Sequence, residues 1–564
     1  HFCTMFQYGL DECATNAPPW YAPIDKAIEK ENFDEAARLA REPLLSAQNE
    51  GDVPGQGIAL NAYIKVLIAK NDPWNGRKYG QIAMDVAATS KSKNQEAMAA
   101  HIAAKVELKD RKVADAKRLA ETAKKLYAAA NNAKGEASTL ITMAKAHIMK
   151  KESEEALKCL STAFDSLKAI GDDRGIIAAL YATYELKMKE DLVYPALQTM
   201  EEISEKLKDI GDVAGQGAAE FVSAEVYFSQ GNLSDAMRCA GLAAELFDMV
   251  GDAKKKGAAV FIMASTFRTG GQMEDAEEAA AVALQCFKAG RQKQGQAGAL
   301  VMLGQLFVAK GGASLPDAAY KFEEACFLYR QLKDNKSEAE TLGQLCAVQL
   351  TILESGGKMK VQEPIRHGRR AAILFEDGNL MNTPSNAKLQ MVLAKALLEE
   401  KEDLDEAAAS IEASMNAYSE ISDRLGEAQA TEIAAKIQFA AKDKDKGVEL
   451  AQKAADIYHE VGDGAGAVAA EALVESRGKP KAGAVRQLSW IDIHWGPKMY
   501  AQLTEFEARA ARYSASSMAG GGGEGASSSA SFDTSAPGAK KSASGKVQYA
   551  IRWQRVTHID MLKQ

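Results

Sequence analysis

The chain has 564 residues, a formal net charge of −8 and 46% hydrophobic residues. Its mild acidity argues against a general nucleic-acid or membrane-surface role, and the lack of any apolar run of about eighteen residues predicts no membrane insertion. Seven scattered cysteines with no C-x-x-C pair point to free thiols in the cytoplasm or another reducing compartment.

The first residue is His1, not Met, so the N-terminus reads as incomplete and any upstream targeting segment is invisible. Residues 1–19 read as an extended lead-in ending at Pro18-Pro19. Trp20–Lys30 and Phe33–Gln48 read as a shortened helix pair. A regular unit begins at Gly51-Asp52, and its clearest copy is Gly211–Leu246. That copy holds two helix-length apolar patterns, helix A over about Gly215–Ser229 and helix B over about Ser234–Val250. Ala224 and Tyr227 share one face of helix A; Ala236, Ala240 and Ala243 share one face of helix B. Alanine at those positions lets two helix backbones approach closely. Ser234 is the expected N-cap of helix B.

The first small residue of helix B recurs at Ala36, Gly76, Ala116, Ala156, Ala196, Ala236 and Ala276, always forty residues apart. A constant period of this length is the mark of a solenoid. After residue 310 the array becomes irregular. Gly311–Leu315, Glu354–Lys360 and Glu399–Asp403 lengthen successive turns. The small position continues at Ala318, Pro364, Ala407 and Gly447, which gives eleven pairs, and Ala465–Ser476 reads as a capping helix.

The composition changes at residue 478. Residues 478–513 form an aromatic segment, part strand-like and part helical. Residues 514–546 are rich in Gly, Ser and Ala and are expected to be a disordered linker. In residues 547–564, Val547, Tyr549, Ile551 and Trp553 alternate with other residues, a β-prone period of two. Trp490, Trp495, Tyr549 and Trp553 are therefore candidate docking residues. Two readings stay open: the aromatic segments pair with each other or with a partner, or they belong to a domain cut short at Gln564.

The spacing Ala224, Tyr227, Gly231, Ala236, Ala240, Ala243 resembles the tetratricopeptide repeat (TPR) family over roughly residues 20–477. The family's usual period is about 34 residues, so this chain is similar to a longer-helix class of forty. The resemblance implies an all-α, right-handed α-solenoid of about eleven helix pairs with helix A lining the concave side. Adaptors of that class carry an Asn ladder on helix A. Only Asn61 matches it here, so their partners are not implied.

Nothing in the sequence assembles a catalytic centre. The histidines His101, His147, His367, His459, His494 and His558 match no metal spacing. There is no G-x-S-x-G, and the Gly-rich run at Gly520 lacks the lysine of a phosphate loop. No enzyme activity, metal or cofactor is expected.

The informative pattern lies on helix A. One position reads Asn61, His101, Ile141, Tyr181, Phe221, Phe261 and Val301; four residues later the row reads Lys65, Lys105, Lys145, Glu185, Glu225, Ser265 and Gln305. Lys65, Lys105, Lys145, Tyr181, Glu185, Phe221, Glu225 and Phe261 are the candidate groove. Exposed aromatics there would dock a partner peptide or helix, and the change of charge sign would fix its direction. The competing reading packs Tyr181, Phe221 and Phe261 as core. Residues 91–160 hold 15 Lys and Arg against 9 Asp and Glu. That run reads as a solvated outer face bearing Lys117, Arg118, Lys124 and Lys125, or as a patch for an acidic partner.

The expected function is a non-catalytic protein-interaction scaffold. One alternative is a permanent structural subunit of a large multiprotein assembly, anchored by the aromatic tail. Another is the sensor arm of a larger regulator.

Overall fold

A computed structural model describes residues 18–29, 32–400, 403–476, 540–541 and 547–548. The expected lead-in up to residue 17 and the segment from 478 to 539 lie outside the described residues, as do Trp490, Trp495, Tyr549 and Trp553. Among the described residues the chain is an all-α solenoid of 23 α-helices, eleven consecutive pairs and a final helix. None of these helices is long and apolar enough to cross a membrane.

The local device that makes the pairs is a left-handed residue followed by a cap. A residue of positive φ closes a helix every twenty positions: Gly51, Asn71, Lys91, Arg111, Asn131, Lys151, Gly171, Asp191, Gly211, Gly231, Gly251, Gly271 and Arg291. At some of these turns the next residue then supplies a side-chain cap. Asn132 Oδ1 accepts from the Gly135 amide at 2.9 Å, Asp212 from Gly215 at 2.8 Å and Asp252 from Lys255 at 3.0 Å. The forty-residue period is thus one helix and turn written twice. At the expected Ser234 cap the structure differs. The helix begins at Leu233, and Asn232, one turn position earlier, accepts from the Asp235 amide at 3.3 Å.

Two compact units divide the chain at residues 226 and 227. In the first, the A helices are Tyr21–Glu29, Val53–Ala69, Lys93–Lys109, Ala133–Met149 and Asp173–Lys189. Its B helices are Phe33–Glu50, Pro73–Ser90, Val113–Ala129, Ser153–Ile170 and Val193–Asp209. Helix Val213–Ser229 spans the boundary. Each of these A helices packs on its B helix, and successive A helices from Tyr21–Glu29 to Asp173–Lys189 also pack on one another, with the B helices Phe33–Glu50, Pro73–Ser90, Val113–Ala129 and Ser153–Ile170 filling the angles between them. The A helices are therefore surrounded on more sides, and their middle turns are buried all round. Residues 99–104 and 139–142 are continuously buried.

The second unit continues the alternation from Leu233–Met249 to the short final helix Gly464–Ser476. Its insertions fall in turns; the first contains a 3-10 turn at Gly312–Ser314. Phe322, Leu345, Ile365, Phe375, Leu393, Leu397 and Ile411 join one continuous core. Ala236, Ala240 and Ala243 are fully buried, as close helix approach requires. Ala236→Leu is expected to overpack this seam and cost about 1–3 kcal/mol, read as a lower urea midpoint. An unchanged midpoint would mean that the helices are not tightly apposed there. In the tail, Lys540–Lys541 pairs antiparallel with Val547–Gln548.

A second regularity sets the B-to-A turns. At Gly135 an added Cβ would fall 2.5 Å from the ring of Tyr127, which is fully buried. The same ring-on-glycine contact joins Phe287 to Gly295, Tyr418 to Gly426 and Tyr458 to Gly466. An aromatic eight residues before a glycine is its sequence signal.

Candidate functional site

In the first unit the charged A-helix row is paired at two of its steps. Lys65 Nζ lies 2.8 Å from Asp25 Oδ1 and 5.4 Å from the centre of the Tyr21 ring, and its side chain is 15% exposed. Lys145 and Glu185 approach to 3.8 Å with side chains 31% and 43% exposed. Both contacts join residues forty apart, so equal positions on neighbouring A helices are adjacent in space. Lys105 and Glu225 are half-buried and make no ion pair among the described residues.

The aromatic row behaves differently. His101 is 1% exposed; its Nε2 is 2.8 Å from Thr142 Oγ1, and its ring meets Tyr127 edge-on. Ile141 and Phe221 are buried as well, Phe221 at 2%. The expectation of an exposed Phe221 is therefore corrected. It sits one turn before Glu225, in the middle stretch of its helix that is buried on all sides. Tyr181 is half-buried. Phe261, in the second unit, is half-buried and stands 6.5 Å from Phe287. The row is thus mainly core, with partial exposure at Tyr181 and Phe261.

Burial pushes the Glu225 carboxyl up to about 6. A carboxylate whose folded pKa is raised favours the folded state below its unfolded pKa, and that advantage is lost as pH rises through the folded value. Between about pH 4.5 and pH 6 the first unit therefore loses stability at this site. Glu225→Gln is expected to match the parent at pH 4 and to exceed it at pH 7 by about 1 kcal/mol, after discounting for part-exposure. Thermal melts at the two pH values measure it; equal melting temperatures at both would contradict it.

In the second unit the corresponding row carries glutamines, which continue from the guanidinium of Arg268. Arg268 Nη1 donates to Gln305 Oε1 at 2.7 Å, and Gln305 Nε2 donates to Gln344 Oε1 at 2.9 Å. The recurrence of Gln at these row positions was the available signal. In the basic stretch of the first unit, Lys117 reaches Glu152 at 3.0 Å and Arg118 reaches Asp115 at 3.6 Å, while Lys125 is exposed and Lys124 half-buried.

Burial pushes the thiols of Cys326 and Cys346 up to about 12, so neither is a thiolate nucleophile near neutrality. Among the described residues no group of three His, Cys, Asp or Glu side chains is placed to hold a metal ion.

Neither a protein-family model nor a curated protein sequence matches the chain. Solved structures do resemble it. One is a Signal Transduction ATPase with Numerous Domains protein with a tetratricopeptide repeat sensor from Pyrococcus horikoshii. It is 15% identical, with 62% of this chain and 54% of that chain covered and a TM-score of 0.43. A second is the apo form of the quorum sensor NprR from B. thuringiensis, 14% identical, with 63% and 97% covered and a TM-score of 0.37. A third is the APC/C hetero-tetramer Cut9-Hcn1, 13% identical, with 81% and 95% covered and a TM-score of 0.30. At these identities the fold stands on the chain's own geometry: paired helices at a forty-residue period make it a TPR-like helical-repeat array.

Proposed function

We propose that the chain is a non-catalytic protein-interaction scaffold whose first unit binds a partner segment along the A-helix row. The contact residues are Lys65, Lys105, Lys145, Tyr181, Glu185 and Glu225, with Phe221 as the packed support beneath. The observation that carries this reading is the charge left over along the row. Asp25 neutralises Lys65 and Glu185 neutralises Lys145. Among the described residues, Lys105 is left as a cation and Glu225 as an anion, three repeats apart. Ionic side chains are rarely left half-buried without a partner.

The fitting ligand carries an acidic group opposite Lys105 and a basic group opposite Glu225. Helices packed at about 8–10 Å put those two positions roughly 25–30 Å apart, which an extended segment of about eight residues spans. The fixed polarity gives direction and specificity more than raw affinity.

The test is selection of peptides from a displayed random library by the full chain. A second selection uses a variant with the row reversed: Lys105→Glu, Lys145→Glu, Glu185→Lys and Glu225→Lys. Selected peptides are expected to carry acid and base at about this spacing, and the reversed row is expected to invert their order. The same peptides emerging from both selections would sink the proposal.

A further inference from the structure

The B helix Gln362–Asp377 in the second unit buries Pro364, Ile365, Gly368, Ala371 and Phe375, and turns Arg366, Arg369 and Arg370 outward. Arg330, from the last turn of Leu315–Leu332, meets them. Together with Ile373 and Leu374 these arginines line a groove of about 1180 Å³.

The guanidinium groups are not equivalent. Glu338, 2% exposed, holds Arg330 at 3.0 Å and Arg370 at 2.9 Å. One carboxylate shared by two guanidiniums leaves one positive charge over. Arg369 is neutralised by Glu406. Arg366 has no acidic group within ion-pair distance among the described residues; Glu323 and Glu363 lie near it without pairing. Its Nη2 donates to His367 Nε2 at 3.4 Å, while His367 Nδ1 donates to Oε1 of the buried Gln349 at 2.8 Å. This hydrogen-bond assignment makes the imidazole neutral. Burial and the Arg366 charge both hold its pKa below the ordinary value.

A seam between helices accounts for Arg330, Arg370, Glu338 and the Arg369–Glu406 pair. It does not account for Arg366, nor for Ile373, which is 57% exposed beside it. Asp377, Glu400 and Asp403 also line the groove and disfavour a polyanion such as nucleic acid. The combination selects a ligand with a localised acid next to an aliphatic group.

We propose that this groove is a second docking site, taking an acidic, leucine-like segment of a partner protein whose carboxylate binds Arg366 beside Arg330 and Arg370 and whose aliphatic side chain rests on Ile373 and Leu374. The planar guanidinium matches a carboxylate with two parallel hydrogen bonds. The buried Glu338 holds two of the three guanidiniums in place before the ligand arrives. This site is independent of the A-helix row.

The test uses the full chain and a fluorescein-labelled peptide of repeating Glu-Glu-Leu, with Gln-Gln-Leu as its neutral counterpart, followed by anisotropy at low salt. The acidic peptide is expected to bind at least about tenfold more tightly than the neutral one, and Arg366→Gln to weaken it about tenfold. Ile373→Ser is expected to weaken it too, whereas Lys105→Glu in the other unit leaves it unchanged. Arg366 makes no ion pair among the described residues, so the thermal melt of Arg366→Gln should match the parent and separate lost binding from lost fold. Equal binding of both peptides, no binding, or indifference to Arg366→Gln overturns the proposal. Inorganic phosphate that binds and is lost in Arg366→Gln, with no peptide binding, would make the groove a small-anion pocket and overturn the protein ligand.

Discussion

Phe221→Ala is expected to lower the stability of the first unit by about 3–5 kcal/mol, the range for truncating a fully buried aromatic. The ring is 2% exposed, and Gly217, Ala218, Ala219 and Ala224 around it on the same helix are all buried. Small neighbours cannot expand into the space left behind, so a cavity remains and its cost adds to the lost transfer free energy. In a repeat array each pair contacts only its neighbours, so the loss should be local. Amide exchange is expected to quicken in Asp173–Lys189 and Val193–Asp209 and to stay unchanged in Val53–Ala69. If Phe221 were instead a docking ring in the groove, its removal would weaken partner binding and leave the urea midpoint where it was. The two outcomes differ in kind, so this one substitution decides between core and surface.

The second large effect concerns Glu338. Removing both Arg330 and Arg370 strands a carboxylate that is 2% exposed. The penalty for an unpaired buried charge is about 3–5 kcal/mol. Either arginine alone satisfies Glu338, because each approaches the same oxygen within 3.0 Å and each side chain is about half exposed. The single substitutions Arg330→Ala and Arg370→Ala are therefore expected to cost only about 1 kcal/mol each. The double variant should exceed their sum by about 1–3 kcal/mol in a double-mutant cycle. Strict additivity, with small effects throughout, would mean that water reaches Glu338 and that the network does not organise the groove.

The repeat was legible because the physics constrains single positions. Ala36, Ala116, Ala156 and Ala236 are small because two helices touch there, and any reading that aligns them recovers the period. The half-period of twenty was not legible. Left-handed turns at Asn71, Lys91, Arg111, Lys151, Asp191 and Arg291 use no glycine, so the sequence marks them weakly.

The candidate row divides for a similar reason. Phe221 and Glu225 are one turn apart on one side of a helix and look equivalent as a pattern. What separates them is enclosure by neighbouring helices, which a pattern along one helix does not contain. Charge was the better guide: Lys65, Lys105, Lys145, Glu185 and Glu225 all keep partial exposure, as the cost of burying ions demands. The arginine groove escaped notice because its members come from Arg330 and Arg366, on different repeats in the irregular part of the array. No fixed spacing connects them.

The most direct measurement is hydrogen exchange on the full chain, alone and with a peptide selected by it. If the A-helix row of the first unit is the binding surface, the peptide slows exchange in Lys93–Lys109, Ala133–Met149 and Asp173–Lys189. The paired B helices Val113–Ala129 and Ser153–Ile170 then stay unchanged. Protection confined to the B helices, or absent from residues 93–189 altogether, would contradict a scaffold that reads its partner through this row.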